Sequence, residues 1–147
     1  MSVKQISIFL ENRPGRLVTV AKVLGDANCS ILALSVADTK DFGIVRMIVE
    51  EPEKAQKVLK DHDILGRINE VTAVGIDSAP GSLATVLSLF TTIGVNVEYM
   101  YALAEPRSKH AIMVFRFDEA EKAEKALQQA GIRIFNDDDL IHNDLFK

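Results

Sequence analysis

Asn12-Arg13-Pro14-Gly15-Arg16-Leu17 and Ser78-Ala79-Pro80-Gly81-Ser82-Leu83 are one stretch written twice, at an offset of 66. The same offset pairs Thr19 with Thr85, Val20 with Val86, and Asn28-Cys29-Ser30-Ile31 with Gly94-Val95-Asn96-Val97. After a two-residue insertion the offset becomes 68, so that Glu53-Lys54-Ala55 matches Glu121-Lys122-Ala123, Lys57 matches Lys125, Leu59 matches Leu127 and Ile64 matches Ile132. An ordered self-match across most of 147 residues predicts two small domains, residues 1–69 and residues 70–147, the second ending in a short C-terminal tail.

Each copy reads β-α-β-β-α-β. In the first, Val3–Leu10 alternates Ile6, Ile8 and Leu10 against Gln5 and Ser7, the period of a half-buried strand. Pro14-Gly15 then opens a helix whose apolar face is read as Leu17, Val20, Ala21, Leu24 and Ala27. Strands over Ile31–Ala37 and Ile44–Glu50 flank a polar turn, a helix spans Pro52–His62, and Ile64–Asn69 supplies a fourth strand. The second copy repeats this, with Leu83, Val86, Leu87, Phe90 and Ile93 as the first helix stripe and Ala120–Ala130 as the second helix. The expected class is α+β: two ferredoxin-like units, each a four-stranded antiparallel sheet with both helices on one face. Almost nothing separates Ile64–Asn69 from the next strand, Val71–Asp77, so the join is not a flexible linker. Units near 70 residues bury only about 60% of their unfolded surface and are marginal alone, which predicts a shared interface.

Composition excludes several classes. An apolar share of 48% with 26% charged residues describes a globular chain. Seventeen basic against 21 acidic residues give a net charge of −4, which argues against a nucleic-acid binder. The 20 uncharged residues Ser78–Val97 are long enough to cross a bilayer, but their Ser, Thr and Asn content, with Pro80-Gly81 at the head, argues against a membrane partner. Met1–Leu10 lacks the apolar centre of a signal peptide, and one cysteine cannot make an internal disulfide, so a cytoplasmic protein is expected.

The ordered segments Leu10–Leu17, Asn28–Ile31, Gly94–Val97, Ala37–Gly43 and Glu98–Ala102 together resemble those of the ACT domain family, small ferredoxin-like modules that bind amino acids and regulate enzymes. The likeness runs from residue 1 to about residue 135 and favours stand-alone tandem ACT proteins. It implies a free amino acid as ligand, a regulated enzyme as possible partner, no catalytic activity and no cofactor.

Physical chemistry supplies an independent case at the two glycines. The first N–H groups of a helix lack intrahelical partners and sit at the positive end of its dipole, so a carboxylate fits there. The residues alone leave open whether Pro-Gly marks a ligand site or only starts a helix; the resemblance favours the ligand. If the two units pair their second strands antiparallel, as side-by-side ACT pairs do, an eight-stranded sheet results. Asn12, Arg13, Pro14, Gly15, Arg16 and Leu17 would then face Asn96 and Val97. Ser78, Ala79, Pro80, Gly81, Ser82 and Leu83 would face Ser30 and Ile31. An amide can accept from an α-ammonium and donate to an α-carboxylate. Amino-acid-binding ACT proteins resemble the combination with asparagine on both sides, so the Asn12/Asn96 site is expected to be the stronger and the serine site the weaker.

Other signals carry less. Asp41-Phe42-Gly43 reads as a hairpin tip rather than a kinase motif, since no Gly-rich ATP loop accompanies it. Cys29 aligns with Val95 and reads as a packed apolar residue. His62, His110 and His142 show no metal-ligand spacing, and Asp137-Asp138-Asp139 lacks the glycine and distal glutamate of a calcium loop, so it reads as a solvated tail and no metal is expected. No nucleophile-and-base set stands out. An amino-acid-binding regulatory protein is therefore the leading reading, and a ligand-free oligomerisation scaffold the alternative.

A homodimer is also expected. Alternation places Val45, Met47, Val49, Met113, Phe115 and Phe117 toward the helices, leaving Ile44, Arg46, Ile48, Ile112, Val114 and Arg116 on the opposite face. That face is too apolar to be solvated. A tail, Leu140–Phe146, folding back over part of it is the alternative cover.

Overall fold

The structure, a computed structural model, describes residues 2–38, 41–103 and 110–141. Contacts divide the chain into two compact units: residues 4–69, and residues 70–147 together with 1–3. The first holds β1 (Val3–Glu11, from its second residue), α1 (Arg16–Asp26), β2 (Ile31–Asp38), β3 (Phe42–Val49), α2 (Pro52–Asp61) and the first part of β4 (Gly66–Asp77). The second holds the rest of β4, then α3 (Ser82–Thr92), β5 (Val97–Ala102), β6 (His110–Phe117), α4 (Ala120–Gln129), β7 (Ile134–Phe135) and a short α5 (Asp137–Ile141).

Within the first unit the strand order is β2-β3-β1-β4, and within the second β5-β6-β4 with β7 on β4. Both are the ferredoxin-like order, and the seven strands form antiparallel ladders. The count is seven rather than eight because Ile64–Asn69 and Val71–Asp77 are not two strands. Glu70 continues the chain in extended form, with no Gly or Pro to turn it, so β4 ends one unit and begins the next. The expected pairing of the second strands is also corrected: among the described residues β2 hydrogen-bonds β3 alone, and β5 hydrogen-bonds β6 alone.

The repeat extends to the backbone. The chain turns through positive φ at the same three places in each unit: Gly15 and Gly81, Asn28 and Gly94, Asp63 and Gly131. Each second strand also carries an irregularity one residue after its start, between Ile31 and Ala33 and between Val97 and Tyr99.

The first core is aliphatic. Ile8, Leu24, Met47 and Leu59 are fully buried, with Cys29 packed among them as expected. The second is built on Phe90, Phe115 and Phe117, with ring centroids 4.7 to 5.5 Å apart; Phe90 meets the other two edge-on and those two stack. The first helix does not bury the stripe read from its periodicity. Val20, Val23 and Leu24 are inside, whereas Leu17 is 43% exposed and Ala21 faces solvent. Leu83, the repeat partner of Leu17, is likewise exposed.

The face opposite the helices departs from expectation. Ile48, Ile112 and Val114 are buried within the single chain, as are Gln5 and Ala33. Gln5 is satisfied there: its Nε2 donates to Ser7 Oγ at 3.2 Å and to Asn69 Oδ1 at 3.3 Å. Asp137–Asp139 is not a solvated tail either. It opens α5, where Asn136 N donates to Asp139 Oδ2 and Asp139 N to Asn136 Oδ1, both at 2.9 Å, a reciprocal cap that lets Leu140 bury. The remainder of the Leu140–Phe146 segment beyond Ile141, and His142, lie outside the described residues. Among the described residues no helix is long and apolar enough to cross a membrane, and no cluster of His, Cys, Asp and Glu could hold a metal ion.

Candidate functional site

Both Pro-Gly segments connect a strand to a helix: Glu11 ends β1 before Arg16 begins α1, and Asp77 ends β4 before Ser82 begins α3. Gly15 sits at φ +90° and Gly81 at φ +88°, a left-handed backbone that disfavours any residue with a Cβ. A Cβ at either position would meet nothing within 4 Å. Backbone sign, not crowding, therefore demands glycine here. No side chain caps either helix, and the Thr19 and Thr85 hydroxyls donate back to the Gly15 and Gly81 carbonyls at 2.7 and 3.2 Å. Each helix thus presents an open positive end.

The side chains around the two turns differ. Asn12, Arg13, Pro14 and Gly15 are exposed and Arg16 half-buried. Arg13 is tied to Glu11 by an exposed ion pair at 2.9 Å. Arg16 Nε is shut off from solvent with no hydrogen-bond partner. The Asn12 carboxamide makes no bond to a described residue. In the second unit Ser78, Ala79, Pro80 and Gly81 are exposed and Ser82 half-buried, with no cation in the turn.

The other predicted residues lie elsewhere in their units. Ser30 and Ile31 follow the far end of α1 from Gly15, and Asn96 and Val97 follow the far end of α3 from Gly81. Neither unit alone brings its loop and its turn together. Asn96 is held by a residue the sequence reading missed: its amide donates to Asp118 Oδ1 at 2.9 Å, while Asp118 N donates to Asn96 O at 3.2 Å. Only the backbone half of that pairing recurs in the first unit, from Glu50 N to Ser30 O at 3.0 Å. Asp118 lies 22 residues from Asn96, and no local motif marks it. The irregularity after Val97 re-aims the start of β5 beside it. The Asn96 carboxamide, like that of Asn12, stays without a bond to a described residue.

Charge effects are confined. The Glu53 carboxyl lies below the usual carboxylate range, chiefly because the Lys4 ammonium donates to it at 2.5 Å, and this pair sits on α2 and β1 rather than in the turns.

Two ferredoxin-like units in tandem, each opening its first helix on an uncapped Pro-Gly turn, define the class. The chain belongs to the ACT family: residues 1–143 match the family's model of an ACT domain pair. A protein of solved structure from Bacteroides thetaiotaomicron is similar to it at 39% identity over 96% of both chains, with a TM-score of 0.89. The regulatory subunit of aspartate kinase from Thermus thermophilus, in a ligand-free form, shares the fold at 18% identity and a TM-score of 0.62, over 86% of this chain and 91% of that one. The corresponding subunit from Thermus flavus does so at 19% identity and 0.61, over 87% and 90%. Among curated proteins none matches.

Proposed function

We propose that this ACT pair, with domains at residues 1–69 and 70–147, is a non-catalytic regulatory protein of the cytoplasm that binds a free amino acid and acts on a partner enzyme. The observation that carries the reading is the first turn. Beside the uncapped start of α1 stand an unengaged Asn12 carboxamide and an Arg16 Nε without a partner. An α-carboxylate satisfies the helix end, and an amide can meet both charged groups of an amino acid. The likeness to subunits described as regulatory supports the same role.

A homodimer is part of this reading. β2 and β5 are edge strands with one neighbour each, and Ile31, Leu34 and Val36 of β2 are exposed, as are Leu17 and Val18 of α1. An apolar edge invites another strand. Antiparallel pairing of β2 from one copy with β5 of a second would set Asn12 and Gly15 against Asn96 and Val97 of that copy, and Ser78 and Gly81 against Ser30 and Ile31. The asparagine site is the stronger of the two in this reading.

A thermal-shift screen against the 20 amino acids tests it. A ligand at 100 times its Kd adds about 2.7 kcal/mol, a shift of several degrees. If no amino acid moves the melting temperature at millimolar concentration, the ligand reading fails and a scaffold role replaces it.

A further inference from the structure

The second unit contains a cavity of about 410 Å³ that the Pro-Gly loops do not account for. It opens between the end of β4, the start of α3 and the turn from α4 into β7. Ile76, Val86, Ile132 and Phe135 supply apolar wall, and Arg133 supplies a positive charge. The Arg133 guanidinium lies over the Phe135 ring, 4.4 Å from its centroid, and makes no ion pair with a described residue. Stacking fixes the cation without neutralising it. The segment is anchored too, since Gly75 N donates to Arg133 O at 3.0 Å and a Cβ on Gly75 would come within 3.0 Å of the Phe135 ring.

The first unit fills these three positions differently. Phe9 stands where the second unit has Gly75, Leu65 where it has Arg133, and Arg67 where it has Phe135. Phe9 and Leu65 are each 70% exposed. The first unit thus holds its aromatic and its cation at other positions of the set, with Leu65 in place of the stacked cation and no glycine to make room for a ring, although the backbone at both turns is alike.

We propose that this cavity is a separate binding site for a small carboxylate with an apolar body. Its carboxylate pairs with Arg133 and its body lies against Ile76, Val86 and Ile132. The volume falls in the range of small-molecule sites. The site shares only Ser82 with the loop described above and does not depend on an amino acid binding there.

The test is an amide-shift titration of the isotopically labelled full chain with 3-methylbutanoate, leucine and inorganic phosphate. Saturable shifts at Gly75, Gly131 and Arg133 with 3-methylbutanoate or leucine support the proposal, and which of the two binds more tightly tells a simple acid from an amino acid. Arg133→Leu, which installs the residue the first unit carries, weakens that binding about tenfold or more. Arg133→Lys retains part of it, while Asn12→Ala leaves it unchanged. No saturable shift by about 10 mM, a response to phosphate alone, or equal binding by Arg133→Leu overturns the proposal.

Discussion

The two units share a fold, three positive-φ positions and a strand irregularity, yet they differ at the polar and charged positions of their Pro-Gly turns. Their cores differ as well: Leu24, Met47 and Val49 in one, and at the matching positions Phe90, Phe115 and Phe117 in the other. The ferredoxin-like backbone thus requires apolar volume at the core positions and glycine or a tolerant residue where φ turns positive, and leaves the rest free. At the first turn of the first unit that freedom holds Asn12 and Arg16; in the second it holds Ser78 and Ser82.

The largest expected effect tests the two cores. Phe90→Ala should cost about 3–5 kcal/mol, read from urea unfolding, because it removes the ring that both neighbours pack against. Leu24→Ala in the aliphatic core should cost about 2–5 kcal/mol. A loss under 1 kcal/mol for Phe90→Ala would show that the aromatic core is not the equal of the aliphatic one.

Next comes the difference between the turns. Asn12→Ala or Asn96→Ala should weaken amino-acid binding about tenfold or more, since a hydrogen bond to a charged group contributes roughly 1.5–3 kcal/mol, whereas Ser78→Ala should change it little. Equal losses at all three positions in calorimetry would erase the asymmetry.

Where the units should agree, they should agree in energy. Gly15→Ala and Gly81→Ala each force a Cβ into a left-handed backbone with no clash, so each should cost about 1–2 kcal/mol of stability. Unequal costs measured by thermal unfolding would mean that the two turns are not equivalent. The smallest effect is the Lys4–Glu53 pair, which sits only in the first unit. The folded pKa of Glu53 is depressed, so its contribution is present above the unfolded value and is lost as the pH falls through the folded one. The carboxylate is 66% exposed, so Glu53→Gln should change stability only slightly at neutral pH and not at all in strong acid.

The sequence shows the repeat plainly, because self-similarity and a period of two need no knowledge of distant contacts. Val45, Met47 and Val49 do face one core, and Met113, Phe115 and Phe117 the other. Periodicity goes wrong where an apolar residue serves a surface. Leu17 and Ala21 fit a buried stripe as well as Val23 does, and only the packed fold separates them. Alternation says which residues share a side and not what covers it. Asp137–Asp139 looked solvated because a charge run hides the Asn136–Asp139 cap that makes it a helix. Asp118 owes its place beside Asn96 to a pairing 22 residues apart, which no spacing rule reaches.

The continuity of β4 through Glu70 also bears on how the gene can change. Tandem domains joined by a slack tether can gain or lose linker residues freely. Here one residue inserted or deleted near Glu70 would reverse which of Val71, Ala73, Val74 and Ile76 point toward the second unit's helices, turning every later side chain of that strand inside out. Changes of two residues would preserve the alternation. The junction should therefore be frozen in length across descendants of this chain, or altered only by even steps.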